Sequence, residues 1–363
     1  MKHLSLPKAY LCLLTLLCLT GVNADANKDI DTYLSDFIKQ YNIAGLQISV
    51  FDSNSRIFEK NYGAANPAKK VSLQSNTLMF TASISKLITT ELITKMAAEK
   101  KLQLNQSIGT YLPHLLTLSD QFNNISIQHL LTHTSGLNDD SFSFPFFKTT
   151  LKGRKSIGIL QRINSAEKVT FAAMPGEQWL YSDINFDLLG AVIEQLNNTD
   201  FASAAKDAFF QPLTMRYSGY DRERMSGFIF ANSYKKRKRL PGKSEKDVYN
   251  PPYVNASNGL FSCVYDLVLW SQYQFKHSSR YIAWNTQYSI NDSQQMGLGW
   301  RIKQFEGHKV VYHYAGYKGY RHKLALFPGL KKGIIILSND ANMDELRDVV
   351  FEELSRAFIV TKP

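Results

Sequence analysis

The chain has 363 residues, of which 44% are hydrophobic and 20% are charged, and its formal net charge is +11. This length supports one large domain or two smaller ones with a buried core, and the composition argues against an intrinsically disordered chain. The excess of lysine and arginine is compatible with an anionic partner.

The first 24 residues have the pattern of an export signal. Lys2 and Lys8 give a positively charged start, residues 10–20 are apolar, and residues 22–24 (VNA) offer a cleavage site after Ala24. An apolar run of this length is too short to span a bilayer well. We therefore expect residues 1–24 to be a signal peptide of a periplasmic or secreted protein. A retained N-terminal membrane anchor is the alternative.

Cleavage after Ala24 leaves one of the chain's three cysteines, Cys263. A single thiol excludes an intramolecular disulfide, so the packing of the core must hold the mature fold together. We expect Cys263 to be buried and inert.

The next elements are a helix, two strands and a second helix. The apolar spacing over Asp31–Ile43 predicts an amphipathic helix. Leu46–Phe51 and Arg56–Tyr62 are predicted strands, with turn residues between them. Ser83–Ala98 predicts a long helix with a broad apolar face.

The rest of the chain changes from helical to strand-rich. Residues 101–275 predict helices and loops, and four strands and a closing helix follow them. These are Leu298–Lys303, Lys309–Tyr314, Lys323–Phe327, Gly333–Leu337 and the helix Met343–Phe358. The order predicts an α/β (α+β) fold, in which an antiparallel sheet flanked by helices is built from residues 25–100 and 276–363. Residues 101–275 form an inserted, mainly helical domain in this prediction.

Ser83 and Lys86 lie three residues apart at the start of a predicted helix. Positions i and i+3 share a helix face, so the two side chains can meet. Free N–H groups and the positive dipole end of the first turn stabilise an oxyanion, and a desolvated lysine can accept the serine proton. The spacing alone is weak evidence, because it occurs four more times, beginning at residues 5, 165, 203 and 233.

Five segments nevertheless match the motifs of one enzyme family in order. They are residues 81–87 (TASISKL) with 101–105 (KLQLN), 130–137 (LLTHTSGL), 175–183 (PGEQWLYSD), 258–262 (NGLFS) and 297–300 (GLGW). Together they resemble the serine β-lactamase and penicillin-binding-protein family, in its class C β-lactamase-like and esterase branch. The resemblance covers nearly all of the mature chain and implies that Ser83 is an acylated nucleophile with Lys86 as its partner.

The resemblance also implies a proton-transfer role for Tyr181, at the position of a tyrosine that faces the serine–lysine pair. A phenol beside an ammonium can act as general base and later as general acid. Asp183 stands where that family usually has asparagine, and an ionised aspartate only accepts hydrogen bonds. Beside Lys86 it would raise the pKa of the ammonium. We therefore expect the base role to shift toward Tyr181, with Asp183 among the substrate-binding residues.

The third family element is a basic residue, then a small one and glycine, on an edge strand. His313-Tyr314-Ala315-Gly316 matches its position, with alanine where glycine is usual. A protonated His313 would bind a substrate carboxylate, and a neutral one would donate a hydrogen bond. The resemblance implies that the N–H groups of Gly316 and Ser83 hold the oxyanion and that substrate pairs along the strand. The methyl group of Ala315 is expected near that path, where it would hinder bulky substrates.

Other charged residues suggest no metal or cofactor. His129 and His133 have the i, i+4 spacing of zinc ligands, but no glutamate follows His129 and no third ligand is evident, so structural roles are expected. The basic run consists of Lys235, Lys236, Arg237, Lys238 and Arg239. An anionic envelope polymer or a membrane surface would fit this run, and a solvated loop is the alternative. The export signal argues against nucleic acid.

The leading hypothesis is a secreted serine hydrolase that forms an acyl-enzyme on Ser83 with an amide, an ester or a β-lactam. The motifs do not separate a D-alanyl peptidase, a β-lactamase and a carboxylesterase. A catalytically weak envelope-binding or sensing module on the same fold is the rival hypothesis, because Asp183 and Ala315 depart from the family pattern.

Overall fold

The computed structural model describes residues 24–144, 158–222, 225–235, 238–239, 256–277 and 282–360. Residues 1–23 of the predicted signal peptide lie outside these ranges, as do Lys236 and Arg237 of the basic run. Within the described ranges, no helix is both long enough and apolar enough to cross a bilayer.

The elements follow the predicted order. The helices are α1 (Ala24–Gln40), α2 (Ser85–Ala98), α3 (Ile108–Tyr111), α4 (Leu115–Leu118), α5 (Ile127–Leu131), α6 (Ile159–Asn164), α7 (Asp183–Asn197), α8 (Phe201–Ala205), α9 (Val264–Lys276) and α10 (Met343–Phe358). The strands are β1 (Gly45–Asp52), β2 (Arg56–Asn66), β3 (Val71–Ser72), β4 (Met79–Phe80), β5 (Phe142–Ser143), β6 (Lys168–Val169), β7 (Tyr234–Lys235), β8 (Lys238–Arg239), β9 (Phe261–Ser262), β10 (Tyr288–Ser289), β11 (Gln295–Met296), β12 (Arg301–Phe305), β13 (His308–Tyr317), β14 (Tyr320–Phe327) and β15 (Lys332–Ser338).

The main sheet combines strands from both ends of the chain. Its nine antiparallel strands have the order β10-β11-β12-β13-β14-β15-β1-β2-β3, so β15 and β1 are neighbours in its interior. Helices α3–α9 come from the middle of the chain. The predicted fold class, an antiparallel sheet flanked by helices, is confirmed.

Helices cover both faces of this sheet, because side chains of a strand alternate between the faces. On β1, Leu46, Ile48 and Val50 join a core cluster with α1 and α10. Phe51 joins the larger cluster on the opposite face, which includes α2, α7 and α9. The site described below lies on that second side.

The first turn of the predicted helix Ser83–Ala98 differs from the prediction. Residues Ala82–Ile84 form a 3-10 turn, and α2 begins at Ser85. Ala82 has a φ of +46°, which is uncommon for a residue with a side chain and costs backbone energy. Packing of the buried Ala82 and Ile84 against β13 holds this turn in place.

A buried polar side chain, Gln47 on β1, ties the sheet to the segment that precedes the site. Its amide donates to the carbonyl oxygens of Gln74 and Thr77, at 2.6 and 2.9 Å, and accepts from Val264 N at 3.3 Å. Gln47 therefore fixes both the approach to β4 and the start of α9.

Replacing Gln47 by Leu should lower the free energy of unfolding by about 2–3 kcal/mol, because three buried backbone groups lose their partner. Urea denaturation measures this change. Ser49→Ala is the matched control, because Ser49 is buried on the same strand and its hydroxyl has no hydrogen-bond partner in the described ranges. Equal losses in the two variants would contradict the role assigned to Gln47.

Candidate active site

Ser83 lies in the 3-10 turn that joins β4 to α2. Thr81 fixes this turn, because its N–H and its hydroxyl both donate to the carbonyl oxygen of Leu260 at 2.9 Å. Ala82 and Ile84 on either side are buried, whereas Ser83 lines an open pocket of about 510 Å³. The turn thus presents one hydroxyl to the pocket.

Lys86 is fully buried beneath Ser83, and its ammonium has three partners. Nζ lies 2.5 Å from Asp183 Oδ1, 3.0 Å from the carbonyl oxygen of Ser257 and 3.3 Å from Ser83 Oγ. All three are acceptors, so they match the three hydrogens of an ammonium. The sequence-predicted pair of Ser83 and Lys86 is therefore in contact.

The charge of Lys86 follows from these neighbours. Burial by itself would lower the pKa of its ammonium, but the negative charge of Asp183, the hydroxyl of Tyr181 and their hydrogen bonds outweigh burial and raise it. Asp183 shows the reciprocal effect: burial would raise the pKa of its carboxyl group, and the ammonium lowers it. Lys86 is consequently a fixed cation at neutral pH.

Tyr181 lies on the other side of the serine. Its hydroxyl donates to Ser83 Oγ at 2.9 Å, and its ring centroid lies 5.0 Å from Lys86 Nζ. The serine oxygen therefore has both predicted proton-transfer residues as neighbours. This geometry allows a proton to pass between Ser83 and Tyr181 next to a permanent positive charge.

His133 positions Tyr181, a role that the sequence did not reveal. The imidazole is buried, its ring centroid lies 4.4 Å from that of Tyr181, and Nδ1 accepts from Ser182 N at 3.2 Å. Burial lowers its pKa well below the usual value, so the ring is neutral. The expected helix face shared with His129 does not exist, because α5 ends at Leu131 and His133 has a φ of +58°.

His129 instead completes a capping box at the start of α5. Its N–H donates to Ser126 Oγ at 3.1 Å, and Ser126 N donates to its Nδ1 at 3.3 Å. This is the structural role that was expected. The described ranges contain no cluster of three or more His, Cys, Asp or Glu residues that could hold a metal ion.

Asp183 is held at the first residue of α7 by two further residues. Asp139 accepts from Asp183 N at 2.6 Å and from Ser182 Oγ at 2.7 Å. Asn258 Nδ2 donates to Asp183 Oδ2 at 2.8 Å, so both carboxylate oxygens have partners. Asn258 belongs to a recognised motif but had no predicted role, and nothing in the local pattern around Asp139 pointed to the site.

His313 lies on β13 beside this group, and it is neutral. Burial, reinforced by the positive charges of Lys86 and Arg301, lowers its pKa to about 3. Nδ1 donates to the carbonyl oxygen of Tyr314 at 2.6 Å, which leaves Nε2 as an unprotonated acceptor. The sequence left two roles open for His313. Binding of a substrate carboxylate by a protonated His313 is disfavoured, and so is donation of a hydrogen bond from Nε2 of the neutral ring.

Strand β13 is an interior strand, not the expected edge strand, but its final part has a free edge. Pairing with β12 ends at Tyr312, opposite Arg301, and no described residue pairs with 313–317 on that side. Tyr317 and Tyr320 close a two-residue hairpin, so their backbones are hydrogen-bonded to each other. The residues of the next pair, Gly316 and Arg321, are therefore not hydrogen-bonded to each other. The N–H of Gly316 therefore faces the free edge, as an oxyanion donor requires.

The structure also locates the other predicted oxyanion donor, the N–H of Ser83, and the neighbouring Ala315. The N–H of Ser83 makes no backbone hydrogen bond within the described ranges, so it is available to a ligand. Ala315 is only 3% exposed and belongs to the larger core cluster. Ala315 is therefore largely buried, although it also borders the pocket, and its effect on bulky substrates stays a prediction.

Cations surround the mouth of the pocket. Arg301 stacks on Trp179, with its guanidinium carbon 4.8 Å from the ring centroid, and has no hydrogen bond or ion pair to a described residue. On the opposite side Arg321 and Arg347 share Asp344, at 3.1 Å each. Arg301 thus lines the same pocket as Ser83 and Tyr181 and has no counter-ion among the described residues.

Comparison with known proteins places this arrangement in a wider group. The family model described as Beta-lactamase matches residues 30–354. "Protein flp" of Staphylococcus aureus (strain MW2) is 25% identical over 333 residues, which cover 87% of this chain and 63% of that protein. The chain therefore spans less than two-thirds of the length of that relative.

Solved structures share the fold. "A class C beta-lactamase" has a TM-score of 0.76 at 19% identity, covering 94% of this chain and 98% of its own. "EstCE1, a hydrolase with promiscuous acyltransferase activity" has a TM-score of 0.73 at 18% identity, covering 90% and 99%. At these identities the likeness concerns the fold alone.

Replacing Asp183 by Asn should destabilise the protein by about 2 kcal/mol near neutral pH, because a buried ammonium loses its counter-charge and solvent reaches part of the pair. In the wild type the pair stabilises the fold above the ordinary pKa of Asp, 3.8, and below that of Lys, 10.5. In the variant the charge of Asp183 no longer opposes the effect of burial, so the pKa of Lys86 falls. The deficit should therefore shrink as pH rises from about 6 to 9, as Lys86 loses its proton.

Urea unfolding across this pH range tests the expectation. Asp139→Asn is the control, because Asp139 supports the same helix start without contacting Lys86, and its deficit should not depend on pH. A deficit in Asp183→Asn that is constant across the range would show that Asp183 does not set the charge of Lys86.

Proposed function

The chain belongs to the beta-lactamase family, and on this premise we propose that it is a serine hydrolase that forms an acyl-enzyme on Ser83. The observation that carries the proposal is the contact of Ser83 Oγ with both Tyr181 OH, at 2.9 Å, and Lys86 Nζ, at 3.3 Å. A hydroxyl held between a proton carrier and a fixed cation is equipped for nucleophilic attack.

In the proposed mechanism Tyr181 moves the proton. Its deprotonated oxygen accepts the proton of Ser83 as Oγ attacks the acyl carbon. The phenol then protonates the leaving group, and in the second half of the reaction it accepts a proton from water. Lys86 keeps its proton throughout, because Asp183 holds it as an ammonium.

The developing oxyanion has two donors in this proposal, the N–H groups of Ser83 and Gly316. Both are free within the described part of the chain, and the second faces the unpaired edge of β13. Donors that are fixed before the reaction stabilise the transition state without reorganisation.

The cations at the pocket mouth favour a substrate that carries a carboxylate near the scissile bond. Arg301 has no counter-ion within the described ranges, and a guanidinium binds a carboxylate through two parallel hydrogen bonds. β-Lactams and D-alanyl peptides carry such a group, whereas simple esters do not. We therefore rank a carboxylate-bearing lactam or D-alanyl peptide above a neutral ester.

The ion pair of Lys86 and Asp183 also favours the second candidate, a catalytically weak binding module. A lysine held as an ammonium cannot accept the serine proton, so the chemistry depends on Tyr181 alone. Export of the protein, expected from residues 1–24, stays a prediction under either function.

Labelling with a fluorophosphonate, followed by intact mass, tests the proposed nucleophile. The wild type should gain one adduct, Ser83→Ala none, and Tyr181→Phe should react about 10²–10⁴-fold more slowly, because general-base catalysis is lost. A larger loss in Lys86→Ala than in Tyr181→Phe would contradict the role of Tyr181. Absence of any adduct in the wild type would favour the binding module.

Arg301→Gln tests the substrate class. Hydrolysis of nitrocefin, which carries a carboxylate, should lose about tenfold in kcat/KM through one charged contact, mainly by an increase in KM. Hydrolysis of p-nitrophenyl butyrate, which is neutral, should not change and serves as the internal control. Equal effects on both substrates would contradict carboxylate recognition by Arg301.

A further inference from the structure

The hairpin formed by β7 and β8 carries two exposed lysines from the basic run. Lys235 and Lys238 are paired residues of the two strands. Both are exposed, and neither forms an ion pair with a residue in the described ranges. Their charges are therefore available to a ligand at the surface.

This hairpin packs directly against the turn that borders the active-site pocket. A Cβ atom on Gly319 would lie 2.5 Å from the carbonyl oxygen and 2.6 Å from the nitrogen of Tyr234, so only glycine allows this approach. Tyr234 N donates to the carbonyl oxygen of Asn339 at 2.8 Å, which fixes the hairpin to the end of β15. Lys235 follows Tyr234, and the hairpin is thus anchored beside the pocket.

Lys318, which precedes Gly319, extends the positive charge to the pocket. Lys318 lines the pocket together with Ser83, and it too has no ion pair to a described residue. We call Lys235, Lys238 and Lys318 the cationic rim. The nearby Asp344 is already shared by Arg321 and Arg347, so it does not neutralise the rim.

We propose that the cationic rim docks a soluble anionic polymer whose acyl groups are the substrates of Ser83. Exposed lysines are separate point charges without the geometry to enclose one small anion, but they suit a chain of repeated charges. The packing of the hairpin against the Lys318-Gly319 turn places the docked polymer at the pocket mouth. The docking is independent of the chemistry, whereas the delivery of acyl groups rests on the proposed function.

Binding of fluorescent poly-L-glutamate, measured by anisotropy at 50 and 200 mM salt, tests the docking. The double variant Lys235→Gln/Lys238→Gln should bind about tenfold or more weakly at the lower salt concentration and depend less on salt, because it releases fewer counterions. Lys100→Gln/Lys168→Gln is the matched control: both lysines are exposed, and neither lines the pocket. The control should bind like the wild type.

Protection of Ser83 tests the placement of the polymer. Saturating poly-L-glutamate should slow fluorophosphonate labelling of the wild type at least about threefold, because the bound polymer shields the pocket mouth from the reagent. It should not slow labelling of the double variant. Binding without protection would overturn delivery to the pocket. If Ser83 is not labelled even without polymer, the proposed hydrolase function is contradicted. The anisotropy measurement would still test the docking.

Two other anionic probes complete the experiment. Vesicles with anionic lipids and a single-stranded oligonucleotide are compared with the polymer at equal charge concentration. Equal affinity of the wild type, the Lys235→Gln/Lys238→Gln variant and the Lys100→Gln/Lys168→Gln control for poly-L-glutamate would overturn the proposal. So would binding of vesicles alone, which would indicate a membrane surface, or of the oligonucleotide alone.

Discussion

The ammonium of Lys86 holds the site together. It contacts the nearby Ser83 before α2 and two residues from distant parts of the chain, Asp183 at the start of α7 and the carbonyl of Ser257 before β9. A buried cation without a counter-charge costs several kcal/mol, so the contact with Asp183 stabilises the fold around Lys86. The contact also joins the start of α7 to the turn of the nucleophile.

The charge of Lys86 also affects the protonation of its neighbours. It contributes, with burial, to keeping His133 and His313 neutral, since the pKa of each imidazole is lowered. With Lys86 fixed as a cation, Tyr181 is left as the neighbour that can exchange a proton with Ser83. The positive charges around the pocket, including Arg301, line it without taking part in proton transfer, and in the proposed function they favour anionic ligands.

The sequence was sufficient to predict secondary-structure elements that follow from local apolar spacing and site residues that belong to a recognised motif. The spacing of apolar residues predicted six of the nine strands of the main sheet and helices α1, α2 and α10, but it did not single out β3, β10, β11, α7 or α9. Ser83, Lys86 and Tyr181 followed from matched segments. Local pattern did not show that α5 ends at Leu131 or that His133, beyond this end, packs against Tyr181. Nor could it show that Arg301 has no counter-ion in the described part of the chain, since that depends on which distant residues the fold brings near.

The protonation of Lys86 is the most direct test, and NMR of protein labelled with ¹³C and ¹⁵N at lysine measures it. The signal, assigned with Lys86→Arg, would be followed from about pH 6 to pH 11. The account predicts that Lys86 stays an ammonium beyond the ordinary lysine pKa of 10.5, because Asp183 outweighs its burial. A titration of Lys86 with a midpoint below about pH 9 would make the lysine itself a competent base and contradict the assignment of proton transfer to Tyr181.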